Sequence, residues 1–132
     1  MTKSAKVGAR ILIMDDEDSI LEVTSEILTE HGYIVEVSRD GAEAVSKYRQ
    51  AFVEGRPFDL VIMDLTIPGG MGGKEAIKEL RRIDPRVKAV VTTGYTFDPA
   101  VSRYREHGFV GTIPKPYRMD QLTEMVRKAL EA

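Results

Sequence analysis

The chain has 132 residues, 42% of them hydrophobic and 30% charged. That suits one soluble globular domain and leaves no room for a second. With 21 acids against 19 bases the net charge is −2, so there is no global argument for nucleic acid or an anionic membrane, and with no cysteine there are no disulfides or thiolate metal sites.

No apolar run approaches the length of a membrane span, and the opening MTKSAKVGAR lacks the apolar core of a signal peptide. The expectation is a cytoplasmic protein with neither a membrane nor direct nucleic acid as partner. It is one domain over residues 1–132, with 1–8 as a polar lead-in.

Short apolar runs then alternate with amphipathic stretches. RILIM (10–14) reads as a strand. DSILEVTSEILTEHG (18–32) reads as a helix with Ile20, Leu21, Val23, Ile27 and Leu28 at helical spacing, Asp18 as its cap and Gly32 as its stop. YIVEV (33–37) is a second strand, and DGAEAVSKYRQAFVEG (40–55) a second helix capped by Asp40. FDLVIMD (58–64) is the third strand, KEAIKELRRID (74–84) the third helix, and KAVVTT (88–93) the fourth strand. DPAVSRYREHG (98–108) opens on an Asp-Pro cap pair and predicts a helix ending in glycine. VGTIP (110–114) is the fifth strand, and RMDQLTEMVRKALE (118–131) the last helix, with Leu122, Met125, Val126 and Ala129 on one face. This alternation, with short connections, predicts a parallel α/β sheet covered on both sides.

Ligands of such sheets bind beyond the C-terminal ends of the strands. Asp15, Asp16 and Glu17 follow the first strand, Asp64 ends the third, Thr92 and Thr93 end the fourth, and Lys115 follows the fifth. Crowded carboxylates repel one another unless a cation sits among them. Oxygen ligands with room for water suit Mg²⁺, or Mn²⁺ in its place. A divalent cation, a nucleophilic carboxylate and donors for an oxyanion make a phosphoryl-transfer site. Singly, each acid also reads as a helix cap, Thr93 as a strand former, and Lys115 as a solvated loop lysine.

MDDE (14–17), IMDLTIPGGMGG (62–73), VVTTGY (90–95) and IPKPY (113–117) together resemble the receiver domain of two-component response regulators, over about Arg10 to Leu130. The resemblance implies a flavodoxin-like doubly wound five-stranded parallel sheet, (βα)5, in strand order 2-1-3-4-5. It implies that Asp64 is a phosphoacceptor for a partner's phosphohistidine. Asp16 would bind the metal directly, Asp15 would hold metal-bound water nearby, and Asp64 with the Thr66 backbone carbonyl would complete the protein ligands. Thr93 and Lys115 would each meet a phosphoryl oxygen. The implied partners are a histidine kinase or phosphotransfer protein and a downstream protein effector, in a monomer or weak dimer. The Lys115–Pro116 bond is expected to be cis.

Two departures stand out. The loop Gly69-Gly70-Met71-Gly72-Gly73 is one residue longer than usual and lacks an acid, which resembles receivers attached to hybrid sensor kinases. Thr112 takes the place of an aromatic residue whose inward turn reports phosphorylation, so Tyr95 is a candidate for that readout.

The glycines do not form a Walker loop, because Pro68 and Glu75 stand where that pattern needs Gly and Ser or Thr. They read as a tight turn that leaves Asp64 open. His31 and His107 read as partners of helix C-termini. Arg81, Arg82, Arg86 and Lys88 read as a solvated helix end or a docking patch. The competing functions are an Mg²⁺-dependent phosphatase with an aspartate nucleophile, a flavin- or nucleotide-binding module, a receiver that is never phosphorylated, and a piece of a longer hybrid kinase. The phosphatase usually needs an acid where Thr66 stands, and a nucleotide phosphate would be repelled by DDED after the first strand.

Overall fold

The computed structural model describes residues 8–94 and 98–132. Among these, strands and helices alternate as β1 (Arg10–Met14), α1 (Asp18–Glu30), β2 (Ile34–Ser38), α2 (Gly41–Val53), β3 (Leu60–Asp64), α3 (Gly73–Ile83), β4 (Ala89–Thr93), α4 (Pro99–Ser102), β5 (Gly111–Pro114) and α5 (Met119–Glu131). The strands form one parallel sheet in the order β2-β1-β3-β4-β5, the doubly wound order expected.

Strand periodicity divides the core in two. Leu12, Met14, Val61, Met63 and Val91 face the layer built on α2 and α3, with Tyr48, Ile77 and Leu80. Ile11, Ile13, Leu60, Ile62 and Val90 face α1 and α5, with Leu28, Leu122 and Val126. The central strands are buried on both sides, which is why their apolar runs are unbroken. β2 departs from that expectation because it is the sheet's edge. Ile34 is half exposed, and Glu36 on the same strand pairs with Arg10 at 3.5 Å.

Three local expectations are corrected. The predicted helix over 98–108 is helical only at Pro99–Ser102, followed by turns such as Glu106 N–H to Arg103 O and His107 N–H to Tyr104 O. Ala100 is its one buried residue, too little apolar face to extend a helix. Asp18 does not cap α1: Glu17 is the N-cap, and its N–H goes instead to Asp15. Val23 is exposed, while Thr24 takes its expected place in the core. Asp40 and Asp98 do cap their helices, accepting from the N–H groups of Glu43 and Ala100.

Candidate functional site

Register explains how the acidic residues meet. Met14 of β1 lies opposite Met63 of β3, so the next residues, Asp15 and Asp64, leave the sheet side by side. Both continue the alternation that faces α1 and α5. Across the sheet Asp64 lies opposite Thr92, and Thr93 opposite Pro114, so Lys115 leaves β5 towards the same edge. β1 and β3 flank the point where the strand order reverses, the usual place for a ligand in this architecture.

The Lys115 ammonium donates to Asp15 Oδ2 at 2.6 Å and to Asp64 Oδ2 at 3.0 Å. Asp15 Oδ1 is held by the Glu17 N–H at 2.9 Å. Asp15, Asp16 and Asp64 each present a carboxylate oxygen, all within 4.8 Å of one another. Asp15 and Asp64 are buried and Asp16 is exposed, so the cluster is open on one side. Burial raises the Asp64 carboxyl above its ordinary range and Asp15 adds to this. The Lys115 ammonium and the Thr66 N–H pull it back without cancelling it. Burial works against the Lys115 charge, but its bonds to the two aspartates outweigh this and raise its pKa.

One ammonium leaves three carboxylates with a net negative charge. The donors are all hard oxygens, so this set fits Mg²⁺ or Mn²⁺. Thr93, buried at the last position of β4, lies at the same sheet edge. Of the two readings of Lys115, the solvated loop lysine does not hold, because its ammonium is bonded to the two aspartates. The Lys115–Pro116 peptide is cis.

The glycine loop serves two purposes. Gly69 turns the chain at a φ of +76°, a left-handed conformation that favours glycine. Gly72 and Gly73 are needed for space. A Cβ on Gly72 would lie 2.4 Å from the Leu65 carbonyl oxygen and 2.9 Å from Thr66 Cα, and one on Gly73 would lie 2.8 Å from the Asp64 carbonyl oxygen. The start of α3 therefore presses directly on the segment that carries Asp64 and Thr66. Met71 is anchored in turn: its carbonyl accepts the Gly41 N–H at 2.6 Å, and its side chain lies where a Gly41 side chain would be.

Sequence reasoning gave no role to Tyr117, Thr24 or Gly41. Tyr117 Oη lies 2.7 Å from Thr24 Oγ1 and ties the lysine-bearing loop to α1. Tyr117 stood inside the IPKPY motif, but nothing in one sequence pairs it with a threonine 93 positions away. Thr112 is half-buried beside Pro114, Met125 and Lys128 in a shallow groove of about 220 Å³ between β5 and α5. Tyr95 lies outside the described residues. His31 bonds the Ile27 carbonyl at a helix end as expected, whereas His107 lies beyond the short α4 rather than at its C-terminus.

A doubly wound parallel sheet with acids, a hydroxyl and a lysine gathered at its C-terminal edge defines the class, and comparison with known proteins identifies the family. The response regulator receiver domain model matches residues 11–127. A response regulator receiver protein of Anaeromyxobacter sp. (strain Fw109-5) is 34% identical over 116 residues, which cover 88% of this chain and 46% of that protein. Chemotaxis protein CheY of Thermotoga maritima is 33% identical over 123 residues, covering 92% and 98%. The crystal structure of a CheY-like receiver domain protein from Methanospirillum hungatei JF-1 superposes with a TM-score of 0.81 at 30% identity, covering 94% of each chain. The chain spans under half of the first relative and nearly all of the second. It belongs to the response regulator receiver domain family, the signalling modules of two-component systems.

Proposed function

We propose that Asp64 accepts a phosphoryl group from a phosphohistidine on a histidine kinase or phosphotransfer protein, and that this acyl phosphate switches the binding of a downstream protein. The observation that carries this reading is the convergence of Asp15, Asp16 and Asp64 within 4.8 Å, with Lys115 bonded to Asp64 at 3.0 Å.

Asp15, Asp16, Asp64 and the Thr66 carbonyl would hold Mg²⁺, or Mn²⁺, which when bound neutralises the acids and the charge on the transferring group. The protein's own residues do the rest. An Asp64 carboxylate oxygen attacks phosphorus, the P–N bond to the imidazole breaks, and the partner's ring nitrogen keeps the electron pair and takes up a proton. Lys115 steadies the carboxylate before transfer and then pairs with a phosphoryl oxygen, while Thr93 donates its hydroxyl to another. Burial suits Asp64 to nucleophilic work, because a partly desolvated carboxylate is held by one defined donor rather than by bulk water. The protein would act as a switch that promotes only its own phosphorylation and dephosphorylation.

The test is titration with Mg²⁺ and the phosphoryl mimic beryllofluoride, followed by amide NMR. A saturable change centred on 64, 93 and 115 that Asp64→Asn abolishes is expected. No change in the wild type would contradict the proposal, and sustained release of phosphate from diverse monoesters would favour a hydrolase.

A further inference from the structure

The opposite layer of the molecule carries a second concentration of charge that the acidic site does not use. Lys78, Arg81 and Arg82 on α3, with Pro85 after it, face His107 of the turn before β5 across a cavity of about 380 Å³. The helix dipole accounts for Arg81 and Arg82, which lie in the last turn of α3. It does not account for Lys78 one turn earlier, or for a histidine brought in by another segment.

Arg81 lies against Gly108. Gly108 has a φ of +98°, and a Cβ there would lie 3.0 Å from both Cδ and Nη1 of Arg81, so the arginine side chain occupies the space that glycine leaves. Arg82 is paired with Glu79 at 2.8 Å. Among the described residues no carboxylate pairs with Lys78 or Arg81. The stripe continues to Lys74, whose charge is met by Asp98 at 3.2 Å. Two cations without a carboxylate partner among the described residues, one arginine paired with Glu79 and a histidine thus line one concavity on a chain of net charge −2.

We infer that this cavity is a docking surface for an acidic protein segment, one that presents carboxylates at successive turns of a helix. The cationic residues sit at i, i+3 and i+4 on α3, the spacing that carboxylates one helical turn apart can meet. Nucleic acid fits less well. The lining offers one ring, that of His107, and no Phe, Tyr or Trp on which successive bases could stack, and the chain's overall charge opposes a polyanion. A small free anion fits less well too, because Lys78, Arg81 and Arg82 are exposed, and each solvated pair contributes little without several acting together. Because the surface lies apart from Asp64, the inference does not depend on the proposed phosphorylation.

The experiment titrates the ¹⁵N-labelled 132-residue protein with a synthetic helix-forming peptide carrying glutamates at i, i+4 and i+8, and in parallel with a DNA duplex and with tripolyphosphate. Amide shifts confined to 78, 81, 82 and 107, with the residues beside them, are expected with the peptide. They should weaken steeply with added salt. Lys78→Glu combined with Arg81→Glu should weaken binding about tenfold or more, the sum of two lost pairs and two new repulsions. The milder pair Lys78→Gln and Arg81→Gln keeps the test valid if charge reversal disturbs the fold. Asp64→Asn should leave peptide binding unchanged. Shifts elsewhere, no binding, or tighter binding of DNA or tripolyphosphate at these residues would overturn the inference.

Discussion

The Lys115 ammonium reaches Asp64 Oδ2 at 3.0 Å across 51 residues of sequence, and the contact holds a buried carboxylate whose proton affinity remains above normal. Burial outweighs the lysine. For an acid whose folded pKa is raised, the stability contribution is present at low pH and is lost as pH rises through the folded value. Asp64→Asn is therefore expected to be more stable than wild type at pH 7 without Mg²⁺. The gain should shrink as pH falls through the range where Asp64 protonates. Urea midpoints measured at several pH values check this, and a variant less stable than wild type at pH 7 would contradict it.

Metal binding supplies a second expectation. Mg²⁺ should stabilise the folded state by mass action, by about 2.7 kcal/mol at one hundred times its dissociation constant, and so raise the unfolding midpoint. Asp16 is exposed and contributes nothing to the core, so Asp16→Asn should fold normally and lose most of this gain. Thermal melts with and without Mg²⁺ make the comparison.

Gly72 and Gly69 should respond in opposite ways to substitution. A side chain at Gly72 would strike the Leu65 carbonyl, which is backbone and cannot swing aside. Gly72→Ala is expected to cost about 1–3 kcal/mol and to weaken Mg²⁺ binding by shifting Thr66. Gly69 meets nothing within 4 Å. Gly69→Asn, which tolerates a positive φ, should be nearly neutral. Chemical denaturation and Mg²⁺ titration of the two variants check both effects.

Most of the sheet was legible because buried parallel strands are continuous apolar runs, and RILIM, FDLVIMD and KAVVTT each contain one. The site was legible because strand ends converge in this architecture, so Asp15, Asp64, Thr93 and Lys115 could be placed together by topology alone. The failures were those of long-range contact. Thr24 is buried where Val23 was expected because Tyr117 satisfies its hydroxyl. Lys88 was read as a solvated cation, yet its ammonium bonds the carbonyls of Leu130 and Ala132 and fastens the end of α5. α4 looked long by spacing, but the chain leaves the helix after Ser102 and runs on in turns, with Tyr104 still packed against the core.

Tyr48 offers a test remote from the site. Its hydroxyl, at the end of a fully buried ring, donates to Asp84 at 2.9 Å and joins α2 to the end of α3. Tyr48→Phe keeps the ring and removes the bond, for a loss of about 1 kcal/mol. Burial, reinforced by Asp84, raises the phenol well above its ordinary pKa of 10.0. Its stabilisation is therefore full below that value and declines as pH rises beyond it. The stability of wild type should fall more steeply above about pH 10 than that of Tyr48→Phe. Identical alkaline profiles would contradict this.

The most direct measurement is chemical identification of the phosphoryl acceptor. The protein is incubated with Mg²⁺ and phosphoramidate, whose P–N bond stands in for a phosphohistidine. Borohydride then reduces any acyl phosphate, converting a phosphorylated aspartate to homoserine. Homoserine at position 64 alone, absent without Mg²⁺ and absent in Asp64→Asn, is the expected result. No homoserine, or modification at another acid with Asp64 intact, would contradict the assignment of Asp64 as the phosphoacceptor.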